Sequence, residues 1–372
     1  MRNAQPVQKV RTALAGYGKV AHTHAQALHA LPVSDFVAVW GRSRARAEAF
    51  ATQYGIRAYT DLRAMVDDAG VEALIVCTPH PAHAGPVLIA TEMGVHALVE
   101  KPLAASLQDC DAMIGAAQAA GVKLGVISQR RLYEPVRRVK AALDAGKIGK
   151  PVLGTAVMLG WRDEAYYRSD PWRGRWDTEG GGVLVNQAPH QLDLLQWFLG
   201  PVDALFGYWD NLNHPYIEVE DTAVATLRFK NGALGSIVVS NSQKPGLYGK
   251  VHVHGSNGAS VGVQTDGGAM FIAGMSPILE PPLNDVWTVP GEAHLLEQWQ
   301  AEDRATFEKI DATHHYHLLQ DGDFLQAILE DRAPMVSGEE GRKTVELFTA
   351  IYRSQRDGRP VRFPLAAEDA VD

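Results

Sequence analysis

Cysteine is nearly missing: Cys77 and Cys110 are the only two among 372 residues. Two thiols make neither a disulfide framework nor the paired Cys-x-x-Cys pattern of a structural zinc site. Their scarcity fits a reducing compartment. Long apolar runs are also missing, since none approaches the roughly 20 residues of a membrane-spanning helix. The opening MRNAQPVQKV has no continuous apolar core of a secretory leader, so a cytoplasmic protein is expected. There is no excess of basic charge. A formal net charge of −8 argues against a general nucleic-acid or anionic-membrane binder, which needs a positive surface. No repeat, low-complexity tract or serine or cysteine nucleophile motif occurs. The close histidines (His22 and His24, His80 and His83, His252 and His254, and His314, His315 and His317) are loosely spaced and lack cysteine partners. No metal is expected.

What is present is an ordinary globular composition, 46% hydrophobic and 21% charged, over a length that suits two domains. Residues 10–128 alternate short strand-like runs (VRTALAG, FVAVWG, ALIVCTP, HALVEKP, KLGVIS) with helix-like stretches, several of which close on glycine. That rhythm predicts a doubly wound parallel sheet with helices on both faces, as residues 1–128. The remainder, 129–372, is expected to be an α+β domain with a large, open, mainly antiparallel sheet. In it AVATLRF and ALGSIVVS flank Asn231-Gly232, the signal of a two-residue hairpin, and strands are expected near 250–263 and 268–289. Helices are predicted over 312–330 and 338–356, with an acidic, loose tail. The C-terminal helices can pack back towards the first domain.

The run VRTALAGYGKVAHTHAQAL is a strand, a glycine turn and a helix. Gly16, Gly18 and Ala21 form G-x-G-x-x-A, in which the first glycine permits the turn, the second lets backbone approach a pyrophosphate, and the small third residue packs helix on strand. Tyr17, Lys19 and Val20 complete the loop, and the helix start offers N–H groups to an anion. A dinucleotide is therefore expected. After the second strand, where an acid would bond a ribose 2′-hydroxyl, the chain has Gly41, then Arg42, Ser43 and Arg44. A missing carboxylate and a nearby Arg suit a 2′-phosphate, so NADP is favoured over NAD. Thr78, Pro79, His80 and His83 follow the next apolar strand and are expected at the cofactor edge. Glu100, Lys101 and Pro102 end the strand HALV, where ligands sit in open parallel sheets.

Taken together, GYGKVA, CTPHPAH, EKPLA, GKIGKP, WRGRWDTEGGGVLVNQAPHQLDLL and DFLQAILEDRAP…GEEGRKTVELFTAIYRS resemble the glucose–fructose oxidoreductase/inositol dehydrogenase (Gfo/Idh/MocA) family, in its order and over nearly the whole chain. The resemblance implies an N-terminal Rossmann domain, a C-terminal sheet whose flat face joins subunits into dimers or tetramers, and hydride transfer between a nicotinamide and a sugar, inositol or related polyol. It places the family's lysine on Lys101 and its histidine on His190. Asn186 stands where a common family pattern has aspartate, and a further family aspartate falls on Asp193. Trp172 and Arg173 fall where relatives approach the nicotinamide and substrate.

Residues 181–198 read as one helix with Pro189 inside it, which predicts a kink. On such a helix Asn186 and His190 share a face, and Asp193 is placed to hold or tune the imidazole. His190 is the natural base, and the Lys101 ammonium would stabilise alkoxide character on the same oxygen; which of the two moves the proton stays open. Asn186, Gln187, Tyr133, Arg162, Tyr167 and Arg173 are the substrate-binding candidates, because aromatic faces pack on sugar C–H faces and Arg or Tyr can read hydroxyls. Gln129 and Tyr133, just after the last parallel strand, are also expected near the ligands. Two other readings are weighed: a glycoside-processing enzyme that oxidises only transiently, and a non-catalytic dinucleotide sensor.

Overall fold

The computed structural model describes residues 8–244, 246–267 and 281–367. Residues 268–280 of the strand expected near 268–289, and the tail from 368, lie outside them. The chain divides into two compact units. One runs to Ala104 and takes in Gln108–Gln129 and Thr313–Arg342; the other holds Ala105–Leu107, Arg130–Ala312 and Lys343 onward.

The first unit alternates β1 (Val10–Ala15), α1 (Lys19–Ala30), β2 (Ser34–Trp40), α2 (Arg44–Tyr54), β3 (Arg57–Tyr59), α3 (Leu62–Ala69), β4 (Ala73–Val76), α4 (Ala84–Glu92), β5 (His96–Val99), α5 (Leu107–Ala120) and β6 (Leu124–Val126). All six strands are parallel, in the order β3-β2-β1-β4-β5-β6. The order reverses direction between β1 and β4, and in such sheets ligands collect outside the carboxyl ends at that reversal. Sequence periodicity found five of these strands. It missed β3, whose three residues are too short to show a period, and α3, which is capped by the Asp61 carboxylate accepting from the Ala64 N–H at 3.1 Å. Leu14, Val39, Ile75 and Leu98 form the core with Phe324 and Leu325, which come from the C-terminal part of the chain. Val336 and Ser337 line the open edge of β6, where unpaired backbone would otherwise be left.

The second unit contains α6 (Glu134–Asp144), β7 (Pro151–Leu159), α7 (Glu164–Arg168), α8 (Val183–Asn186), α9 (Pro189–Leu199), β8 (Val202–Asp210), β9 (Thr222–Phe229), β10 (Leu234–Ser240), β11 (Tyr248–Gly255), β12 (Ser260–Gly267), β13 (Leu283–Trp287) and α10 (Leu295–Phe307). After α11 (His315–Leu329), which belongs to the first unit, come α12 (Gly338–Asp357) and β14 (Val361–Arg362). Eight strands form one open sheet, β13-β12-β11-β7-β10-β9-β8-β14, antiparallel except for the β7/β10 pair. One face is apolar and buried (Ala156, Ile237, Val239, Ala225, Val251 and Val253) and lies under α9. The other keeps Leu153, Tyr208, Val224 and Leu234 exposed.

The β9–β10 hairpin closes differently from the expected two-residue turn. Phe229 donates its N–H to the Ala233 carbonyl at 2.9 Å, so Lys230, Asn231 and Gly232 make a three-residue loop, with Gly232 at φ 91°.

The expected single helix over 181–198 is two helices. Pro189 has no N–H to continue the first, so α8 ends at Asn186 and Pro189 opens α9, where a missing donor costs nothing. Asn186 and His190 therefore stand on either side of a break, not on one regular helix face.

Candidate functional site

At the carboxyl edge of the first sheet, Gly16 has φ +110° and lies so close to β4 that an added Cβ would stand 2.8 Å from the Cys77 carbonyl oxygen. Gly18 is different: it has an ordinary φ of −75° and caps the start of α1, and an added Cβ would meet nothing within 4 Å. The turn is thus closed beneath Gly16 and open above Gly18, where Lys19 and Val20 begin the helix. This is the shape a pyrophosphate needs. Gly41 has a local reason to lack a side chain, because a Cβ there would come within 2.0 Å of the Tyr17 ring. Tyr17 accepts the Ser43 N–H on its hydroxyl at 3.0 Å, and the Arg46 guanidinium sits 4.7 Å from its ring centre. Arg44 pairs with Glu48, and Arg42 is exposed.

Thr78 and Pro79 follow β4 and lead into a short turn over His80–Ala82. His80 is buried there. His83 is fully buried, and its ring nitrogens face main-chain carbonyls: Thr78 at 2.8 Å on one side, Pro102 at 3.1 Å and Leu103 at 3.2 Å on the other. Its ring is therefore committed to bracing the turn after β5 against the turn after β4, a main-chain role in place of the expected cofactor contact. Lys101, half-buried, follows β5 at that edge, and Gln129 follows β6. The Gln129 Oε1 is buried and, among the described residues, has no hydrogen-bond partner. An orphaned acceptor at this edge fits the carboxamide of a nicotinamide. The residues of the first unit therefore suit a dinucleotide.

In the second unit α8 and α9 are buried on nearly every side. From Val183 to Leu199 only Asn186, His190 and Trp197 are partly exposed. Trp197 is covered by cations, with Arg131 at 4.9 Å and Lys140 at 5.6 Å from its ring centre. The polar groups left showing are Asn186 and His190. The entry to α8 is held by Glu220. Its carboxylate accepts the N–H groups of Gly182 and Leu184 at 2.9 Å each and the Tyr352 hydroxyl at 2.9 Å. A Cβ on Gly182 would strike the Glu220 carbonyl oxygen at 1.8 Å. Burial pushes the Glu220 carboxyl up to about 7 despite these donors.

Asp193 does not serve as the expected orienter of the imidazole. Both its oxygens are bound by Arg131, at 2.9 Å to Nε and 2.6 Å to Nη2. The loop before α8 converges on Tyr166, which pattern reasoning passed over. Its hydroxyl oxygen receives Arg173 Nη1 at 2.5 Å, Gln187 Nε2 at 3.0 Å and Asn186 Nδ2 at 3.2 Å. Asn186 also donates to Glu179 Oε1 at 2.5 Å. Asn241 Nδ2 donates to Gln187 Oε1 at 2.9 Å and to the Tyr167 hydroxyl at 3.2 Å. Arg173 lies 4.3 Å from the Tyr166 ring centre and 4.4 Å from that of Trp172. Arg162 is buried, with Nη1 on the Trp161 carbonyl at 2.6 Å. Asp221, bonded to His214, sits at the end of this loop network; burial works against its charge, but His214 and nearby N–H groups draw its carboxyl down to about 2. Tyr133 is buried and caps the start of α6. Of the substrate-binding candidates, Arg173, Asn186 and Gln187 thus share one phenol. Tyr166, Glu179, Glu220 and Asn241 are the additions that no local motif announced.

The parallel sheet with its glycine turn, joined to a second sheet carrying a buried helix that shows a histidine, defines a dinucleotide-binding oxidoreductase of the two-domain kind. Residues 10–128 match the model of the NAD-binding Rossmann oxidoreductases of the GFO/IDH/MocA family, and residues 136–261 match the GFO/IDH/MocA C-terminal domain. The chain belongs to this family. It is 25% identical to a scyllo-inositol 2-dehydrogenase (NAD(+)) of Bacillus subtilis over 361 residues, covering 95% of this chain and 96% of that one. To a 1,5-anhydro-D-fructose reductase of Ensifer adhaerens it is 30% identical, over 61% of this chain and 68% of that one. Among solved structures, the WlbA dehydrogenase of Bordetella pertussis in complex with NADH and UDP-GlcNAcA superposes with a TM-score of 0.81 at 29% identity, over 96% of this chain and 100% of that one. Among the described residues no helix is long and apolar enough to cross a membrane.

Proposed function

We propose that this protein is an NAD(P)-dependent dehydrogenase or reductase that moves a hydride between a nicotinamide and a CH–OH carbon of a sugar, inositol or related polyol. The observation that carries the reading is the carboxyl edge of the first sheet. There the open Gly18 turn follows β1, Lys101 follows β5, and the strand order reverses between β1 and β4. The named relatives act on, or bind, cyclitol, anhydro-sugar and sugar-nucleotide compounds, which supports the substrate class.

When bound, the nicotinamide supplies or accepts the hydride. The turn from Gly16 to Val20 holds the pyrophosphate, and Gln129 Oε1 accepts from the carboxamide. Lys101 places an ammonium on the reacting oxygen and stabilises its alkoxide character. His190 takes the hydroxyl proton in oxidation and returns it in reduction. Asn186, Gln187 and Arg173, drawn together by Tyr166, contact the substrate hydroxyls, with Trp172 beside them. The arginine at 42 and the absence of an acid at 41 favour NADP over NAD, although the Bacillus subtilis scyllo-inositol 2-dehydrogenase is named for NAD(+) and the WlbA structure holds NADH. The exposed apolar face of the second sheet, with Tyr208, Val224 and Leu234, is the surface on which a second copy would sit to make a dimer or tetramer.

The test is absorbance at the reduced-nicotinamide band with scyllo-inositol, myo-inositol, D-apiose and levoglucosan, each with NAD and with NADP. Turnover is expected with at least one pair. Lys101→Ala and His190→Ala should each lower kcat about 10²-fold or more, with the Kd for reduced cofactor, read by fluorescence, nearly unchanged. A variant that keeps wild-type kcat removes that residue from the mechanism. Tight cofactor retention with no net cofactor turnover would favour transient oxidation instead.

A further inference from the structure

At the Glu100–Lys101 turn lie four buried ionisable side chains, none of which that mechanism uses. His24 is on α1, Glu100 follows β5, and His317 and Asp321 stand one turn apart on α11. His24 Nδ1 faces the Asp321 carboxylate oxygens at 2.8 and 3.0 Å. Its Nε2 faces Glu100 Oε1 at 3.1 Å, and His317 Nε2 reaches the same oxygen at 3.3 Å. The other Glu100 oxygen accepts the backbone N–H of Lys101 at 3.0 Å. The helix supplying two of these groups is fixed to the sheet by Gln320, which accepts from the Ser128 N–H at 2.8 Å and donates to the Val126 carbonyl at 2.7 Å.

Two carboxylates withdrawn from water need compensation. Burial alone would lower the His24 pKa, but Asp321 and Glu100 overturn that and raise it to about 10. His24 is then an imidazolium that donates from both nitrogens. For Glu100 burial works upward, yet the bonds from His24 and His317 hold its carboxyl well below the ordinary range. With both imidazoles on one oxygen, the second is turned to the Lys101 main chain. Asp321 plays towards His24 the part a carboxylate plays behind many functional histidines, fixing ring orientation and proton placement.

We propose that the Asp321–His24–Glu100 chain, braced by His317, is a positioning device that fixes the backbone of Lys101 and so sets its ammonium for turnover. This rests on the role given to Lys101 above. The ligand atoms of His24, Glu100 and His317 also lie within 4.8 Å of one another, a donor set that zinc accepts. The paired Asp321 and the hydrogen-bond distances favour protons as the filling, and the test separates the two.

A double-mutant cycle on kcat decides it, run on the full chain with whichever of the four polyols the wild type turns over fastest. His24→Gln, and the isosteric Asp321→Asn should the first fold poorly, are each expected to lower kcat about 10- to 100-fold, as a displaced catalytic group does. The Kd for NADH or NADPH should stay within about threefold, since the phosphate turn is untouched. In a Lys101→Ala background the same substitutions should lower kcat no further, because they act through that lysine. An equal loss in both backgrounds overturns the proposal. So does stoichiometric zinc in the purified protein that disappears with His317→Gln. If Lys101→Ala alone leaves kcat at the wild-type level, the catalytic assignment of Lys101 fails first and the positioning role falls with it.

Discussion

In the first unit the ligand edge is drawn mainly by backbone: a glycine turn, the start of α1, and strand ends whose carbonyls even engage His83. In the second unit the candidate residues are held by side chains that arrive from distant stretches, such as Glu220 on the Gly182 and Leu184 N–H groups and Asn241 on Gln187. The difference separates two kinds of vulnerability. A backbone-built edge is indifferent to most side-chain chemistry but not to an added methyl group. A side-chain network keeps its geometry through buried charges and hydrogen bonds, so its weak points are the residues that complete them. The comparison predicts that substitutions in the second unit's buried network cost stability, whereas well-chosen ones in the first unit's glycine turn cost only binding.

The largest effect should come from Asp193→Ala. It leaves Arg131, whose side chain is 5% exposed, without its bidentate carboxylate, and breaking a buried pair from one side costs about 3–5 kcal/mol. Urea or thermal unfolding measures this directly. The folded fraction should keep far more turnover than His190→Ala, because Asp193 is bonded to Arg131 and not to the imidazole. A fully stable Asp193→Ala protein with the activity of His190→Ala would reverse that assignment and restore Asp193 as the partner of His190.

The same contrast explains how much was legible in the sequence. Gly16, Gly18 and Lys101 were readable because their geometry is dictated by neighbours in the chain: a turn needs a glycine where it turns, and an open parallel sheet binds ligands at its strand ends. The parallel and mainly antiparallel sheets were readable from period and turns. Pro189 showed that something happens in the 181–198 segment, but a kink and a full break between α8 and α9 share the same local signal. Tyr166 was passed over for its neighbour Tyr167, since only the fold decides which of two adjacent tyrosines gathers Arg173, Asn186 and Gln187. Glu220 stands 38 positions from Gly182, and Arg131 stands 62 from Asp193; no spacing rule reaches that far. His24 looked like one more scattered histidine because its partners Glu100 and Asp321 are brought to it only by folding.

Glu220 gives an effect of intermediate size with a defined pH window. Its carboxyl is raised from about 4.5 in the unfolded chain to about 7 in the folded one by burial. The folded protein therefore binds a proton more tightly than the unfolded one between those values. The stability this confers is complete below about 4.5 and is lost as pH rises through about 7, a span worth roughly 3–4 kcal/mol. Glu220→Gln removes the titration, so the difference in unfolding free energy between wild type and variant should change across pH 4.5–7 and be flat above it. Other groups, such as Asp221 and His24, titrate in both proteins and cancel in the difference. A pH-independent difference would mean that the donors from Gly182, Leu184 and Tyr352 keep Glu220 ionised throughout.

The smallest expected change in free energy makes the sharpest test of the comparison. Gly18→Ala adds a methyl group that meets no protein atom within 4 Å, at a backbone angle any residue adopts, so the melting curve should move by less than about 1 kcal/mol even though Gly18 caps α1. That methyl would nonetheless stand where a pyrophosphate must come close to the main chain. The affinity for NADH and NADPH, titrated by fluorescence, should fall at least about tenfold, which is about 1.4 kcal/mol. Gly16→Ala cannot make this separation, since its Cβ would strike the Cys77 carbonyl oxygen from a positive φ and disturb fold and binding together. If Gly18→Ala binds both cofactors as tightly as the wild type, the open side of the turn is not where the phosphates lie, and the first unit's edge loses its claim to be built by backbone for a dinucleotide.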